Sequence, residues 1–345
     1  MSPADQLVLV SGTTGFLGSE VTLQFLQAGY RVRGTARSQE KADKWEKKHG
    51  NFGERLEWAI VKDVAAEGAF DSAIKGVDLV AHTASPFHYN VQDNEKDLLI
   101  PALQGTRQIL RAAQDEKSVK RVVVTSSFAA VLNMKGDMSE KTLYTEKDWN
   151  PVTYDEAKNA SGEGSEAFVY CASKKLAEDE AWKIAKEEKT QWKLATVCPP
   201  MIFGPPPQVL ESLSGLNTSS AAVWGVVDQK EVPPTQFPVW VDVRDIAKIH
   251  VKAVTEDIAI NKRYLCIAGH YNNETLCKVA REAFPDKASR IPEPKEVPDA
   301  NAGHFRTDSS LVEKELLGGE GWIPFKKSVT DTLQAIFDQE AQLKK

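Results

Sequence analysis

Tyr170 and Lys174 stand four residues apart in Val169-Tyr170-Cys171-Ala172-Ser173-Lys174. This run opens a stretch, 169–188, whose apolar spacing reads as an amphipathic helix, so the two side chains share a face. A phenol, with a pKa of about 10, is by itself a poor acid or base at neutral pH. An ammonium beside it stabilises the phenolate and brings proton transfer into range. A Y-x-x-x-K pair arises often by chance, so its place in the chain decides what it is worth. It follows an apolar run, 120–125, that reads as a buried strand and ends in Thr125-Ser126-Ser127. Ser127, with Ser126 as competitor for the role, can hydrogen-bond a carbonyl oxygen as charge develops on it. A phenol, an amine and a hydroxyl so placed are the parts needed to protonate an oxygen while its carbon is reduced.

The electrons need a carrier, and the N-terminal region describes its seat. Leu7 to Ser11 is a short apolar run that stops at Gly12, and glycines recur at Gly15 and Gly18. Apolar residues at helical spacing follow at Leu17, Val21 and Phe25, with Gly29 as a C-terminal stop. The pattern reads as strand, tight turn and helix. Gly12 permits the turn, Gly15 lets a pyrophosphate approach the backbone, and Gly18 lets the helix lie close to the sheet. Thr13 and Thr14 in the turn belong to the same seat, as do Phe16 and Leu17, which open the helix. There, free N–H groups and the helix dipole attract the anion.

The end of the second strand selects between dinucleotides. An acidic residue there suits the ribose hydroxyls of NAD, and a basic one suits the 2′-phosphate of NADP. This chain has Thr35-Ala36-Arg37-Ser38-Gln39-Glu40-Lys41, with no carboxylate at 35–39. Arg37 can form a forked pair with phosphate oxygens and Lys41 can add a point charge, so NADP(H) is the expected cofactor. Asp63-Val64 ends the third strand, where a side chain can meet the adenine edge. Thr83-Ala84, after His82 at the end of the fourth, allows close approach, and Thr125 ends the fifth on the same side. His82 reads as a packed strand-end residue rather than a proton donor.

The elements that position these groups alternate between strand and helix. Strand candidates are 7–11, 31–35, 57–62, 78–82, 120–125 and 193–198; helices are expected at 16–28, 39–48, 67–74, 94–115 and 169–188. That rhythm implies an α/β fold of the Rossmann type, a doubly wound parallel sheet covered on both faces. Residues 199–238 are rich in proline, and 239–247 reads as a strand-to-helix return. The expected division is 1–198 plus 239–262 for the NADP-binding domain. Residues 199–238 plus 263–345 would then form a smaller, mainly C-terminal substrate lobe. The polar segment 133–166 has no clear period; a lid and a solvated loop are both open readings.

Composition narrows the function classes. The chain has 345 residues, 41% hydrophobic and 27% charged, with a net charge of −6. That balance argues against nucleic acid as a main partner. No apolar run is long enough to span a membrane. The first residues lack the charged, apolar and cleavage regions of a signal peptide. The four cysteines are widely spaced, with no C-x-x-C, so no metal site is expected and reduced thiols in the cytoplasm are the simplest reading.

The G-x-x-G-x-x-G spacing and the downstream Tyr170–Lys174 pair resemble the extended short-chain dehydrogenase/reductase group. The stretches Thr35–Lys41, His82–Phe87, Asp97–Ala102, Val122–Ser127 and Asp242–Ala247 resemble its fungal NADPH-dependent carbonyl reductases, the group of the yeast methylglyoxal and aldehyde reductases. The resemblance runs over nearly the whole chain and extends, more distantly, to plant dihydroflavonol and cinnamoyl-CoA reductases. It implies Ser127, Tyr170 and Lys174 as the catalytic set, with Arg37 and Lys41 on the 2′-phosphate. It also implies Pro199 to Ile202 near the nicotinamide, Ser219 reaching the cofactor, and transfer of the pro-S hydride. Cys198 stands where asparagine is expected and Met201 where tyrosine is expected, which bears on substrate range.

The expected reaction is reduction of a small-molecule ketone or aldehyde by NADPH, with Tyr170 as proton donor. Phe87, Phe128, Leu132, Met201 and Trp224 are candidate walls of an apolar pocket, with ordinary core packing the alternative for each. A dihydroflavonol- or cinnamoyl-type reductase, a sugar-nucleotide epimerase or dehydratase, and a non-catalytic NADP sensor are the other readings. Phe128-Ala129 after Ser127, in place of an Asp-Glu pair, and Arg37 weigh against the epimerase or dehydratase. The oligomer is expected to be a monomer or homodimer.

Overall fold

The structure, a computed structural model, describes residues 2–85, 91–187 and 189–344. In chain order the strands are β1 (Leu7–Ser11), β2 (Arg31–Ala36), β3 (Leu56–Ile60), β4 (Leu79–His82), β5 (Arg121–Thr125) and β6 (Leu143–Tyr144). They continue as β7 (Lys193–Cys198), β8 (Met201–Phe203), β9 (Val239–Asp242), β10 (Lys262–Leu265), β11 (Gly269–His270) and β12 (Arg306–Thr307). The helices that matter below are α1 (Phe16–Gln27), α2 (Gln39–His49), α3 (Ile100–Asp115), α4 (Tyr154–Lys158) and α5 (Ser165–Glu187). After them come α6 (Thr218–Trp224), α7 (Val243–Thr255), α8 (Asn273–Ala283), α9 (Ser310–Val312) and α10 (Phe325–Leu343).

Seven strands form one sheet in the order β3-β2-β1-β4-β5-β7-β10, with every pairing parallel. Helices cover both faces, which is the doubly wound α/β architecture expected from the alternation. Strand geometry sends alternate side chains to opposite faces. Val8 and Val10 join a core with Val21 and Phe25 of α1 and Ile246 and Ile249 of α7. Leu7 and Leu9 join the opposite core with Ile109 of α3 and Ile184 of α5. Chain order reverses beside β1, whose neighbours are β2 and β4. A crevice opens at the carboxyl ends of the strands at such a point, and it is where ligands bind in open α/β sheets.

A smaller sheet, β11-β9-β8, mixes a parallel and an antiparallel pairing. Phe203 and Trp240 from it pack with Leu276 of α8 and Leu333 and Phe337 of α10. The expected boundary at 262 falls inside β10, which pairs with β7 and completes the larger sheet. Val312, Leu316 and Leu317 also pack into the larger sheet's core.

Two expected elements differ. Residues 67–74 form consecutive turns, not a helix. Phe70, Ala73, Ile74 and Val77 are buried at helix-like spacing, but Gly68 at φ +68° and Gly76 at φ +71° bracket a run bonded mostly three residues back. The 94–115 helix opens with a wider π-type turn, Asn94–Leu99, because Pro101 has no N–H to give the carbonyl four residues back. Segment 133–166 is also more structured than its polarity suggests. Leu143–Tyr144 pairs with Arg306–Thr307, and Thr153 with Glu156 forms a capping box on α4.

Candidate active site

The turn after β1 builds an anion seat. Gly12 sits at φ +74°, and a Cβ there would lie 3.1 Å from Ala84 Cα. A Cβ on Gly18 would fall 2.1 Å from the Gly12 carbonyl oxygen, so only glycine lets α1 approach the turn this closely. Among the described residues no side chain caps the α1 N-terminus, and no carboxylate lies in its first turn. Its first N–H groups are thus left for an anion. The cleft beside it encloses about 480 Å³ and is lined by Gly12, Thr14, Gly15, Phe16, Leu17 and Gly18. Arg37, Lys41, Asp63, Val64, Thr83 and Ala84 also lie along its walls.

Charge in the cleft is unbalanced. Nearby Arg33 pairs with Glu57, and Lys44 with Glu40 and Glu211. Among the described residues no side chain pairs with Arg37 or Lys41. A close-approach backbone and two available cations fit a dinucleotide carrying a 2′-phosphate.

Ser11 holds the cleft floor. Its Oγ accepts from Thr83 N at 3.1 Å and Ala84 N at 3.0 Å, which leaves its own proton for His82 Nδ1 at 2.8 Å. Burial, with the Lys174 charge adding to it, pushes His82 down to about 3. His82 is therefore a neutral, packed residue at neutral pH and not a proton donor, in line with its reading from sequence. The Thr13 side chain does not line the cleft; it is buried against Gly34, and its Oγ1 donates to Val10 O at 3.0 Å, so Thr13 offers the turn only its backbone.

The second cavity encloses about 700 Å³. Ser127, Tyr170, Lys174 and Ser85 line it, and the rest of the lining is largely apolar, including Leu98, Phe128, Leu132, Met134, Cys171, Met201 and Phe237. Ser85 lines the cleft as well, so the two spaces meet there. Lys174 Nζ donates to Ser85 Oγ at 2.5 Å and lies 5.7 Å from the Tyr170 ring centroid. Burial lowers the Lys174 ammonium to about 8. Ser127 Oγ accepts from Ala129 N at 3.1 Å, which leaves its proton to donate. Ser126 instead donates to the buried Glu178 Oε2 at 2.6 Å and does not line this cavity. The structure thus brings Ser127, and not Ser126, to the cavity with Tyr170 and Lys174.

The other expected residues divide. Ser219 lines the cavity, and its Oγ accepts from Ile202 N at 3.1 Å. Pro199 is buried, and its carbonyl accepts from Phe128 N at 2.8 Å. Ile202 packs against the larger sheet's core. Thr125 turns away to His250 Nε2 at 2.7 Å. Trp224 does not line the cavity. It closes α6 against Phe337 of α10, with ring centroids 5.2 Å apart. Phe87 lies outside the described residues. Sequence reasoning missed Ser85, which sits within the quoted His82–Phe87 stretch. It also missed Glu178, four residues past Lys174 on the same buried face, where that spacing was the available signal.

Comparison with known proteins gives matches along most of the chain. The profile of the 3-beta hydroxysteroid dehydrogenase/isomerase family matches residues 9–271. A putative uncharacterized oxidoreductase of Schizosaccharomyces pombe is 46% identical over 308 residues, covering 89% of this chain and 90% of that one. A putative NADPH-dependent methylglyoxal reductase of Candida albicans is 36% identical over 345 residues, covering 95% and 98%. The crystal structure of Gre2 from Candida albicans in complex with NADPH superposes with a TM-score of 0.88 at 34% identity, covering 96% and 99%.

Proposed function

The chain belongs to the 3-beta hydroxysteroid dehydrogenase/isomerase family, within the extended short-chain dehydrogenases/reductases, and on that premise we propose that it reduces ketones and aldehydes to alcohols with NADPH. One observation carries the reading: Tyr170, Lys174 and Ser127 line one apolar cavity, and Ser85 lines both that cavity and the dinucleotide cleft. Bound in that cleft, NADPH supplies hydride to the carbonyl carbon. Ser127 donates a hydrogen bond to the carbonyl oxygen, and Tyr170 gives that oxygen its proton as charge develops. Lys174 holds the cofactor's ribose hydroxyls and, as an ammonium, stabilises the phenolate left on Tyr170. Arg37 and Lys41 take the 2′-phosphate.

The cavity supports a substrate class. At about 700 Å³ it lies in the range that suits drug-sized ligands, roughly 300–1,000 Å³, and far exceeds a three-carbon carbonyl compound. Leu98, Phe128, Leu132, Met201 and Phe237 favour aryl ketones, keto esters and branched aldehydes over small hydrated ones. Four free, buried cysteines suit a reducing compartment, the cytoplasm. No helix among the described residues is long and apolar enough to cross a membrane.

The test is a panel of carbonyl compounds offered with NADPH and with NADH, followed at the reduced cofactor's absorbance band. Turnover of bulky apolar carbonyls with NADPH is expected. Absence of NADPH oxidation with every member overturns the reading.

A further inference from the structure

Glu178 lies on α5 four residues beyond Lys174 and eight beyond Tyr170. Its side chain is fully buried, and that of Arg263 on β10 is 8% exposed. The guanidinium donates to the carboxylate as a fork, Nε to Oε1 at 2.8 Å and Nη2 to Oε2 at 3.0 Å. The same carboxylate accepts from Ser126 Oγ and from Thr196 Oγ1, each at 2.6 Å. Arg263 reaches on to the carbonyls of Ala130 at 3.2 Å, Glu146 at 3.0 Å and Asp148. One ion pair therefore ties helix α5 to β5, β7 and β10, three neighbouring strands, and to the chain that follows Ser127.

Stability alone does not account for the pair. Removing two charges from water costs about as much as their attraction returns, and a packed apolar pair can hold such a site as well. Its connections suggest another role. Ser127 sits between two of the tethers, with Ser126 bonded to Glu178 on one side and Ala130 bonded to Arg263 on the other. The carboxylate itself rides on the helix that carries Tyr170 and Lys174. Glu178 and Ser126 also share with Lys174 a small cavity of about 20 Å³, room for a single water. Neither Glu178 nor Arg263 lines the substrate cavity or the dinucleotide cleft.

We propose that the Glu178–Arg263 pair is a positioning element that holds Ser127 in register with Tyr170, so that one carbonyl oxygen meets both hydroxyls. The proposal rests on the carbonyl reduction argued above. Loss of the pair displaces Ser127 relative to the phenol without touching the dinucleotide cleft, so it acts on the chemical step and not on cofactor binding.

The experiment uses Glu178→Gln, which removes the charge, and Ser126→Ala, which cuts one tether and leaves both charges in place. Misplacement on the order of 1 Å costs on the order of 10²-fold, so kcat of Glu178→Gln is expected to fall by about that much and Ser126→Ala by about 10-fold. The NADPH dissociation constant should stay at the wild-type value in both. The deuterium isotope effect on kcat, with NADPH labelled at the transferred position, should rise as hydride transfer becomes limiting. Should Glu178→Gln fail to fold, Ser126→Ala decides. Wild-type kcat and isotope effect in folded Ser126→Ala, with only melting temperature or NADPH affinity altered, overturn the proposal. A wild-type protein that reduces no carbonyl compound would instead overturn the functional reading beneath it.

Discussion

Arg37→Ala tests the cofactor assignment on a single contact. Arg37 lines the dinucleotide cleft just past β2, and among the described residues no carboxylate pairs with it. Its removal therefore strands no partner in the free protein, and the loss appears only when a phosphate is there to be bound. A hydrogen-bonded contact to a charged group contributes about 1.5–3 kcal/mol. The cleft is open to solvent, so the lower half of that range applies, about 1.5–2 kcal/mol or roughly 10–30-fold in affinity. NADH has no 2′-phosphate and should bind Arg37→Ala as it binds the wild type. The assay is fluorescence titration of both dinucleotides at two ionic strengths. NADPH affinity should fall by the stated factor, and its salt dependence should weaken with the lost cation. Equal losses for NADPH and NADH, or no loss for either, would refute the phosphate assignment.

Lys174 sets a pH dependence. Burial lowers its ammonium to about 8, below the ordinary value of about 10.4. In Tyr170→Phe, which lacks the competing phenol, NADPH affinity should fall as pH rises through about 8 and the charge is lost; a flat profile across that window contradicts the assignment. The same shift has a stability consequence. The unfolded chain keeps the proton at pH values where the native protein has released it, so the cofactor-free protein should gain stability with rising pH above about 8, measured by denaturant unfolding. Gly18→Ala puts a Cβ 2.1 Å from Gly12 O, so α1 must shift. A cost of about 1–3 kcal/mol is expected, with loss of the rise in melting temperature that NADPH gives the wild type. Met201→Trp narrows the apolar cavity and should cut kcat/KM for a bulky aryl ketone by about 10-fold or more while sparing a short aldehyde.

Local chemistry made much of this molecule readable from its residues. Gly12, with its left-handed backbone, and Gly18, packed against the Gly12 carbonyl, stand where a side chain does not fit, and β1, β2, β5 and β7 stand where their apolar runs placed them. Tyr170 and Lys174 meet because helical spacing requires it. What escaped depends on partners distant in the chain. β6 is two residues long and exists because Arg306–Thr307 pairs with it. Phe70, Ala73 and Ile74 imitate a helix face, yet Gly68 and Gly76 keep the backbone in turns. The Thr13 side chain points inside because Gly34 on the neighbouring strand leaves room for it. Glu178 finds Arg263 85 residues away, a pairing no local pattern announces.

The proton donor is the central claim, and Tyr170→Phe addresses it most directly. The variant should bind NADPH as tightly as the wild type, while single-turnover reduction of an aryl ketone falls by about 10²–10⁴-fold, the usual contribution of a positioned general acid. Near wild-type reduction by a correctly folded Tyr170→Phe protein would contradict the mechanism.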